Sequence, residues 1–362
     1  MKELKELKEM YLILENKTVF KGKSFGAYRE AVGELVFSTN MLGYMDTLTD
    51  PANFGQLVIS TFPEMGCHGT IAEEMAGEKA SCFGYIVKDW CQSPSNWRME
   101  GDLDTFLKEK DIPGIYGIDT RKLTKMVRDA GTMNAKISFT PDFTDDIATY
   151  NIVDAVKSVS VPEKITSMGK DAKYRVVMWD FGANNNMLKA FLDAGCDVTK
   201  VPYNTQAEEI IAMRPDGVIL SGGPGDPTQL IDVITEIRGI KDIPTLGIGL
   251  GHQLLALSQG AKIEKLKFGH HGASVPVRNE TTGKVYISAQ NHSYQVVNDS
   301  VESFGKVSYR NVNDGTVEGI DYANIPAFSV QFNIESFSEP MHPGFLVDRF
   351  VEMMEGKKDA VK

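Results

Sequence analysis

The chain has 362 residues, of which 42% are hydrophobic and 24% are charged, and this composition is that of a globular protein with a sizeable core. Its 38 basic and 49 acidic side chains give a net charge of −11 without a basic block, so nucleic acid is not an expected partner. No apolar run has the length of a membrane span, and residues 1–10 lack the apolar core of a signal peptide, so we expect a cytoplasmic protein of two domains.

Residues 1–150 predict an α+β domain, because short β-rich runs alternate with clusters of turn residues. Strands are predicted at residues 11–14, 35–38, 57–61 and 83–87. A helix is predicted over residues 119–130, since Asp119 and Thr120 stand at its start and Gly131 follows its end.

The four cysteines are Cys67, Cys82, Cys91 and Cys196. They have neither the spacing of metal ligands nor the density of a disulfide scaffold, so we expect buried, reduced thiols. The six histidines contain no H-x-x-x-H pair, and no metal site is expected.

Residues 151–171 are small, polar and weakly patterned, and they form the predicted linker. Over residues 172–358, strands alternate with helices, which predicts an α/β domain with a doubly wound, mostly parallel sheet. The predicted strands are 175–180, 197–202, 217–221 and 245–248, and the predicted helices are 186–194, 207–213 and 229–239. Ligands of such sheets lie beyond the carboxyl ends of the strands.

Residues 243–257 (IPTLGIGLGHQLLAL) have the strand–turn–helix pattern of a nucleophile elbow, in which a tight turn lifts one side chain above the end of a sheet. Gly249 stands at the apex and has no side chain to present. A dinucleotide fingerprint would need glycine at position 252, where His252 stands, so that alternative is weak. The loop at residues 221–227 (SGGPGDP) is either a source of backbone N–H donors for an oxyanion hole or a plain strand-to-helix connection.

Several blocks of the sequence resemble the carbamoyl-phosphate synthetase small subunit, and the C-terminal half resembles the class I, triad-type glutamine amidotransferases. The blocks are residues 12–22 (LILENKTVFKG), 43–44 (GY), 48–51 (LTDP), 95–98 (SNWR), 112–121 (IPGIYGIDTR), 180–183 (DFGA) and 268–272 (FGHHG). Several of them lie in the N-terminal half, which other class I amidotransferases lack. The resemblance therefore implies an N-terminal α+β (β/β/α) small-subunit domain followed by a class I glutamine amidotransferase domain.

The resemblance also implies a reaction, in which glutamine is hydrolysed and the ammonia passes to a large subunit that makes carbamoyl phosphate from bicarbonate and ATP. In that family a cysteine thiolate attacks the amide, a histidine transfers protons and a glutamate orients the histidine. The three positions are here Gly249, Asn333 and Glu335, and Ile334 replaces the proline that usually separates the last two. Only the orienting carboxylate is kept, so glutaminase activity is not expected.

A second set of positions holds glutamine in the family. By resemblance these positions are Asn40, Gly223, Gly225, Leu250, Gln253, Asn291, Ser293 and Tyr294, with Gly223 and Leu250 as the oxyanion-hole donors. Asn40 stands where the family usually has serine, Asn184 replaces a lysine, and Val275 replaces a histidine. His252 and His292 match family histidines outside the triad, so neither is expected to act as a displaced base.

Three functions stay open at this point, and the sequence alone does not decide whether the chain is an enzyme. The first is a small subunit that lacks glutaminase activity but supports an ammonia-using large subunit, in pyrimidine or arginine biosynthesis. The second is a stand-alone pseudoenzyme that binds L-glutamine or a protein partner. The third is a glutamine-hydrolysing ligase subunit with non-standard chemistry. No cofactor is expected in this chain, because ATP, Mg²⁺ and bicarbonate would belong to the large subunit.

Overall fold

The computed structural model describes residues 8–77, 79–334 and 344–360, which divide into two compact units. The first unit extends to Val153 and also includes Lys267–His271. The second unit begins at Asp154 and comprises the remainder of the chain. None of the described helices combines the length and the apolar character that a bilayer crossing requires.

The first unit is built on seven strands that close into a barrel, in the order β1-β2-β8-β6-β4-β3-β9. The strands of this unit are β1 (Glu9–Leu14), β2 (Val19–Gly26), β3 (Ala31–Ser38), β4 (Gln56–Ser60), β5 (Glu64–Met65), β6 (Gly84–Ile86), β7 (Asp89–Trp90), β8 (Pro113–Tyr116) and β9 (Asn134–Ser138). Its helices are α1 (Tyr44–Thr49), α2 (Leu103–Glu109), α3 (Thr120–Ala130) and α4 (Asp145–Thr149). Strands β5 and β7 stand apart from the barrel as a two-stranded parallel sheet.

Most of the barrel strands are buried on both faces, whereas β2 has exposed residues in its first half. Successive side chains of a strand point to opposite sides, and Leu35 and Val36 accordingly belong to two different hydrophobic clusters. Helix α3 has the predicted ends, because the Asp119 carboxylate accepts a hydrogen bond from the Lys122 N–H at 2.9 Å and Gly131 terminates the helix with a φ of 103°. The α+β character predicted for this half is confirmed, and seven of its nine strands form one closed barrel.

The second unit contains a ten-stranded sheet in the order β10-β12-β11-β13-β14-β19-β18-β16-β15-β17. Its strands are β10 (Ile165–Ser167), β11 (Tyr174–Asp180), β12 (Cys196–Pro202), β13 (Gly217–Leu220), β14 (Thr245–Ile248), β15 (Ile263–Asn279), β16 (Val285–Val296), β17 (Gly305–Asn311), β18 (Val317–Tyr322) and β19 (Ala327–Val330). Its helices are α5 (Ala155–Val159), α6 (Asn185–Asp193), α7 (Ala207–Ala212), α8 (Ile231–Ile237), α9 (Leu250–Ser258) and α10 (Phe345–Ala360). Strands β12, β11, β13, β14 and β19 are parallel. The pairs β10–β12, β15–β17, β16–β18, β17–β18 and β18–β19 are antiparallel.

Helices cover both faces of the parallel strands. Along β11, Trp179 belongs to a cluster with residues of α7, α8 and α9, whereas Met178 belongs to a cluster with residues of α6 and α10. This arrangement is the predicted doubly wound sheet over five parallel strands, but the sheet is mixed and not mostly parallel, because β10, β15, β16, β17 and β18 pair antiparallel. The carboxyl ends of β13, β14 and β19 lie at one edge.

The segment predicted as a linker, residues 151–171, contains ordered elements of the second unit. Helix α5 and strand β10 both lie within it, and β10 pairs antiparallel with β12 through the register Thr166 to Thr199. The structural boundary therefore falls between Val153 and Asp154.

Candidate functional site

The elbow is the turn between β14 and α9, and Gly249 forms it alone. Its backbone angles are φ 56° and ψ −113°, a conformation that strains residues with a Cβ, and its N–H donates to the Val330 carbonyl at 2.9 Å. The strained turn of a nucleophile elbow is therefore present although the residue has no side chain.

Three glycines alternate through the elbow, and packing requires only two of them. A Cβ on Gly247 would lie 2.7 Å from the Gly251 carbonyl oxygen, and one on Gly251 would lie 2.1 Å from the Leu220 carbonyl oxygen. At Gly249 the nearest atom to a Cβ would be the Gly222 Cα at 3.4 Å, which is ordinary van der Waals contact. The close approach of α9 to the sheet thus requires glycine at positions 247 and 251. It does not require the absence of a side chain at position 249.

The loop that follows β13 lies against the elbow. The Ser221 Oγ accepts a hydrogen bond from the Phe181 N–H at 2.8 Å, and the Ser221 carbonyl accepts one from the Gly251 N–H at 2.9 Å. A Cβ on Gly223 would lie 2.1 Å from the Phe181 carbonyl oxygen and 3.2 Å from Leu250 Cδ2, so this position needs glycine and lies beside the first residue of α9.

Gly225 has a φ of 91°, which also favours glycine. The two residues that the resemblance assigns as oxyanion-hole donors, Gly223 and Leu250, are therefore neighbours, and Leu250 occupies the helix end whose N–H groups have no partner within the helix. Packing and backbone conformation explain the glycines at positions 223 and 225, and the role of the loop as an oxyanion hole stays a prediction.

The segment after β19 passes directly beside the elbow. A Cβ on Gly249 would lie 3.9 Å from the Gln331 carbonyl oxygen, two residues before Asn333. Asn333 is half-buried, and its N–H donates to the Ala289 carbonyl of β16 at 2.9 Å. The elbow therefore lies beside the segment that carries Asn333, which stands at the position of the family's histidine. Glu335 lies outside the described residues.

Gln253 joins three elements of the site. Its Nε2 donates to the Tyr294 carbonyl at 2.8 Å and to Gln331 Oε1 at 2.9 Å, which ties α9 to β16 and to the segment after β19. Ser293 Oγ and Gln331 Nε2 are buried and have no hydrogen-bond partner in the part of the chain that the structure describes. Asn291 lies on β16 two residues beyond Ala289.

Sequence reasoning missed Gln331. Its signal was its place two residues before Asn333, as a polar residue between the apolar Val330 and Phe332. Gln331 is 2% exposed, and while its Oε1 accepts from Gln253, its Nε2 is a buried donor without a partner among the described residues.

Comparisons with known proteins point to one family along nearly the whole chain. Residues 12–137 match the family model described as the carbamoyl-phosphate synthase small chain, CPSase domain, and residues 177–353 match glutamine amidotransferase class-I. A carbamoyl phosphate synthase small chain of Listeria monocytogenes is 44% identical over 355 residues, which cover 96% of this chain and 97% of that protein. This chain belongs to the carbamoyl phosphate synthase small chain family.

Two further relatives carry a more specific name. The carbamoyl phosphate synthase pyrimidine-specific small chain of Halalkalibacterium halodurans is 43% identical over 356 residues, covering 96% of this chain and 97% of its own length. That of Bacillus subtilis is 41% identical over 350 residues, covering 95% of each chain. The predicted family and the predicted pair of fold classes are confirmed.

Two histidines of this small chain lie near the elbow, and both are held in structural contacts. His252 on α9 is fully buried, with Nδ1 2.7 Å from Ser329 Oγ, and burial lowers its pKa to about 3, which keeps the ring neutral. His292 has Nδ1 2.8 Å from the Tyr294 carbonyl and Nε2 3.0 Å from Gln290 Oε1.

Asn184, Val275 and Asn40, three of the positions that depart from the family pattern outside the triad, have separate local environments. Asn184 is the N-cap of α6, and its Oδ1 accepts from the Met187 N–H at 2.7 Å. The Val275 carbonyl accepts a hydrogen bond from Ser288 Oγ at 3.0 Å. Asn40 belongs to the first unit, where its N–H donates to Ser38 Oγ at 3.3 Å.

The cysteines differ from the expectation of buried thiols. Cys82 and Cys196 are buried, but Cys67 is exposed and Cys91 is half-buried. The reason is local, since Cys67 follows the glycine of a surface turn after β5 and Cys91 follows β7 at the same end of the small parallel sheet.

Proposed function

We propose that this chain is a carbamoyl phosphate synthase small chain that does not hydrolyse glutamine and that supports an ammonia-using large subunit as scaffold or activator. The observation that carries the proposal is the elbow at Gly249, which keeps its strained backbone and has room for a Cβ but presents no nucleophile. Neighbouring atoms leave room for a Cβ at the apex, so packing does not exclude the nucleophile that the family carries there, although glycine relieves the backbone strain that a Cβ would bring.

The chemistry needs groups that these residues do not have. An acyl-enzyme requires a nucleophilic side-chain atom, which glycine lacks, and proton transfer requires a titratable group, which the amide of Asn333 is not. Loss of one member of a catalytic triad costs roughly 10⁴–10⁶ in turnover. We therefore expect no glutamine hydrolysis at a physiologically useful rate.

No described side chain of the second unit is positioned to replace the missing pair. Cys196 is the first residue of β12, fully buried, and the ligand sites of such sheets lie at the opposite, carboxyl ends of the strands. His252 is held neutral in the core, and His292 has both ring nitrogens at hydrogen-bond distance from neighbouring oxygens. This argues against a glutamine-hydrolysing subunit with non-standard chemistry.

The partner follows from the family. The relatives are named as small chains of a synthase, and two of them as pyrimidine-specific small chains. We propose a heteromeric complex in pyrimidine biosynthesis in which the large subunit holds ATP, Mg²⁺ and bicarbonate.

A second candidate is a pseudoenzyme that binds glutamine without hydrolysing it, alone or within the complex. Two buried polar atoms beside the elbow, Ser293 Oγ and Gln331 Nε2, lack partners among the described residues and would gain them from a polar ligand. This candidate differs from the first in needing no large subunit.

Reconstitution with a large subunit tests the proposal. Carbamoyl phosphate synthesis is measured by the purified pair with ammonium ion and, separately, with glutamine as the nitrogen source. We expect ammonium to support synthesis, glutamine to fail, and the small chain to raise the ammonium-dependent rate or the stability of the large subunit.

Glutamate release from glutamine by the pair would refute the loss of glutaminase activity. Absence of any complex, together with saturable glutamine binding by the isolated chain in calorimetry, would replace the first candidate with the second.

A further inference from the structure

Three side chains of metal-binding type lie close together in the first unit, away from the elbow, which belongs to the second unit. We propose that Glu64, Cys67 and Cys91 form a site for one thiophilic divalent cation, of which Zn²⁺ is the typical case. One ligand atom of each residue lies within 4.8 Å of the other two. The site is independent of glutamine chemistry and of the proposed function.

Backbone pairing positions both thiols. Strands β5 and β7 are parallel, with Met65 opposite Trp90, and the Cys91 N–H continues this ladder by donating to the Met65 carbonyl at 2.8 Å. Cys67 is fixed from the other side, because its carbonyl accepts the Ser95 N–H at 3.1 Å. The two cysteines are distant in sequence, but each is tied by main-chain hydrogen bonds to the strand or loop that carries the other.

The turn that carries Cys67 is also restrained. Gly66 and Gly69 both have positive φ, at 85° and 73°, and the Gly69 N–H donates to the Gly66 carbonyl at 3.0 Å. The Tyr44 hydroxyl donates to the Gly69 carbonyl, which anchors the turn to helix α1. The thiol of Cys67 is therefore carried by a tight turn with main-chain and side-chain support.

The donor set suits a soft metal ion. Zinc binds thiolate sulfur at about 2.3 Å and carboxylate oxygen at about 2.0–2.2 Å in tetrahedral sites. The sulfur–sulfur edge of such a tetrahedron is about 3.8 Å, so the observed separation of at most 4.8 Å needs a contraction of no more than about 1 Å. Glu64 and Cys67 are exposed, which leaves the fourth position open to water.

The charges of the donor set also suit a cation. A thiol that coordinates a metal ion is deprotonated, and a divalent ion compensates the negative charge of the two thiolates and of the Glu64 carboxylate.

His68 does not belong to the proposed ligand set. Its Nε2 lies 3.5 Å from a Glu74 carboxylate oxygen, and its ring stacks on Tyr44 with 4.5 Å between ring centroids. It helps to fix the turn and leaves the two thiols and Glu64 as the donors.

Cobalt and zinc titrations of the full chain test the site. The reduced, chelator-treated protein is titrated with Co²⁺, and the near-ultraviolet thiolate-to-cobalt band is followed before Zn²⁺ is added in competition. We expect one Co²⁺ per chain, a thiolate band that Zn²⁺ removes, and a higher Tm in the presence of Zn²⁺. Cys67→Ser and Cys91→Ser should each lose the thiolate band and the Tm increase, and Glu64→Gln should weaken binding by about tenfold or more.

Two variants serve as matched controls. Glu73→Gln removes an exposed carboxylate that pairs with Arg98 in the same region, and Cys82→Ala removes a buried thiol of the same unit. Both should leave the thiolate band and the zinc affinity unchanged. Thermal melts of each variant without metal show whether it is folded.

Three results would overturn the proposal. They are the absence of saturable binding at one ion per chain, a thiolate band that survives both cysteine substitutions, and equal affinity in Glu64→Gln. If the metal does not bind but oxidised glutathione links Cys67 to Cys91 as a disulfide, the two thiols are a redox pair instead of metal ligands.

Discussion

Gly249→Cys restores the nucleophile position of the elbow, and we expect it to destabilise the protein. The φ of 56° and ψ of −113° at this position strain any residue with a Cβ, at a cost of about 1–3 kcal/mol. Steric overlap adds little, because the nearest atom to the new Cβ is the Gly222 Cα at 3.4 Å. The predicted loss of stability is therefore conformational and does not come from packing.

The expected size of the effect on thermal unfolding follows from the size of the second unit. For a domain of about 200 residues, 1 kcal/mol corresponds to about 2–4 °C in Tm. The range of strain energies then gives a decrease of roughly 2–12 °C for the transition of the second unit.

Differential scanning calorimetry and urea titration of the full chain measure this decrease. Gly249→Ala is the matched control, because it adds the Cβ without the thiol and should lower Tm by a similar amount. Gly251→Ala is the contrasting variant, since its Cβ would lie 2.1 Å from the Leu220 carbonyl oxygen and should prevent normal packing of α9.

Two outcomes would refute the reasoning. An unchanged or higher Tm for Gly249→Cys would show that the elbow backbone is not strained or that it relaxes freely. A large loss in Gly249→Cys with little loss in Gly249→Ala would show that the cost lies in accommodating the sulfur and not in the backbone.

Two further predictions concern chemistry and pH. The double variant Gly249→Cys/Asn333→His should release glutamate from glutamine at a rate roughly 10⁴-fold or more above either single variant, because the members of the triad act as a unit. If glutamate assays show no gain, the departures at Asn40 or Asn184 block glutamine binding. His252 has a pKa of about 3 in the folded chain against 6.5 in the unfolded chain. As the pH falls, the unfolded chain therefore binds a proton first. The stability that the neutral His252 contributes is fully present above about pH 6.5 and is lost as the pH falls below it. Urea titrations should show that this residue accounts for about 2 kcal/mol of the stability lost between pH 7 and pH 5, and that His252→Asn removes this part; an identical pH profile in the variant would contradict the assignment.

Much of the fold was predictable because its signals are local. The apolar run at Thr245–Ile248 and the glycines after it identify β14 and the elbow, and the predicted bounds of this strand are those of the structure. The capping residues Asp119 and Gly131 similarly identify α3 to within one residue. Such patterns are read from neighbouring residues without knowing what the element packs against.

The features that were not predicted depend on pairing between distant segments. Nothing near residues 165–167 predicts a strand, because β10 has no buried side chain and is defined only by its backbone pairing with β12. The proximity of Cys67 and Cys91 depends in the same way on two strands of two residues each. Sequence spacing cannot reveal such contacts, since no hydrophobic period accompanies them.

The sequence predicted which residues belong to the candidate site, but only part of how they are arranged in space. The elbow and the loop at Gly223 were expected at the carboxyl ends of strands, and the segment at Asn333 was assigned by resemblance; in the structure the loop and this segment both lie beside the elbow. Two features appear only when atoms of separate elements are seen to approach one another. They are the packing that requires Gly247 and Gly251, and the buried Gln331 Nε2 that has no partner among the described residues. Steric exclusion of a Cβ is a property of the neighbouring backbone and has no signature in the glycine itself.

Strand β10 also protects the protein against association through its sheet. Without it, the seven residues of β12 would present unpaired N–H and C=O groups at the edge of the sheet, and such edges recruit strands from other molecules. A strand of only three residues takes that position instead, and the Thr166 hydroxyl meets that of Thr199 at 3.1 Å. A three-residue strand near the start of the second unit thereby keeps a longer edge from acting as a template for aggregation.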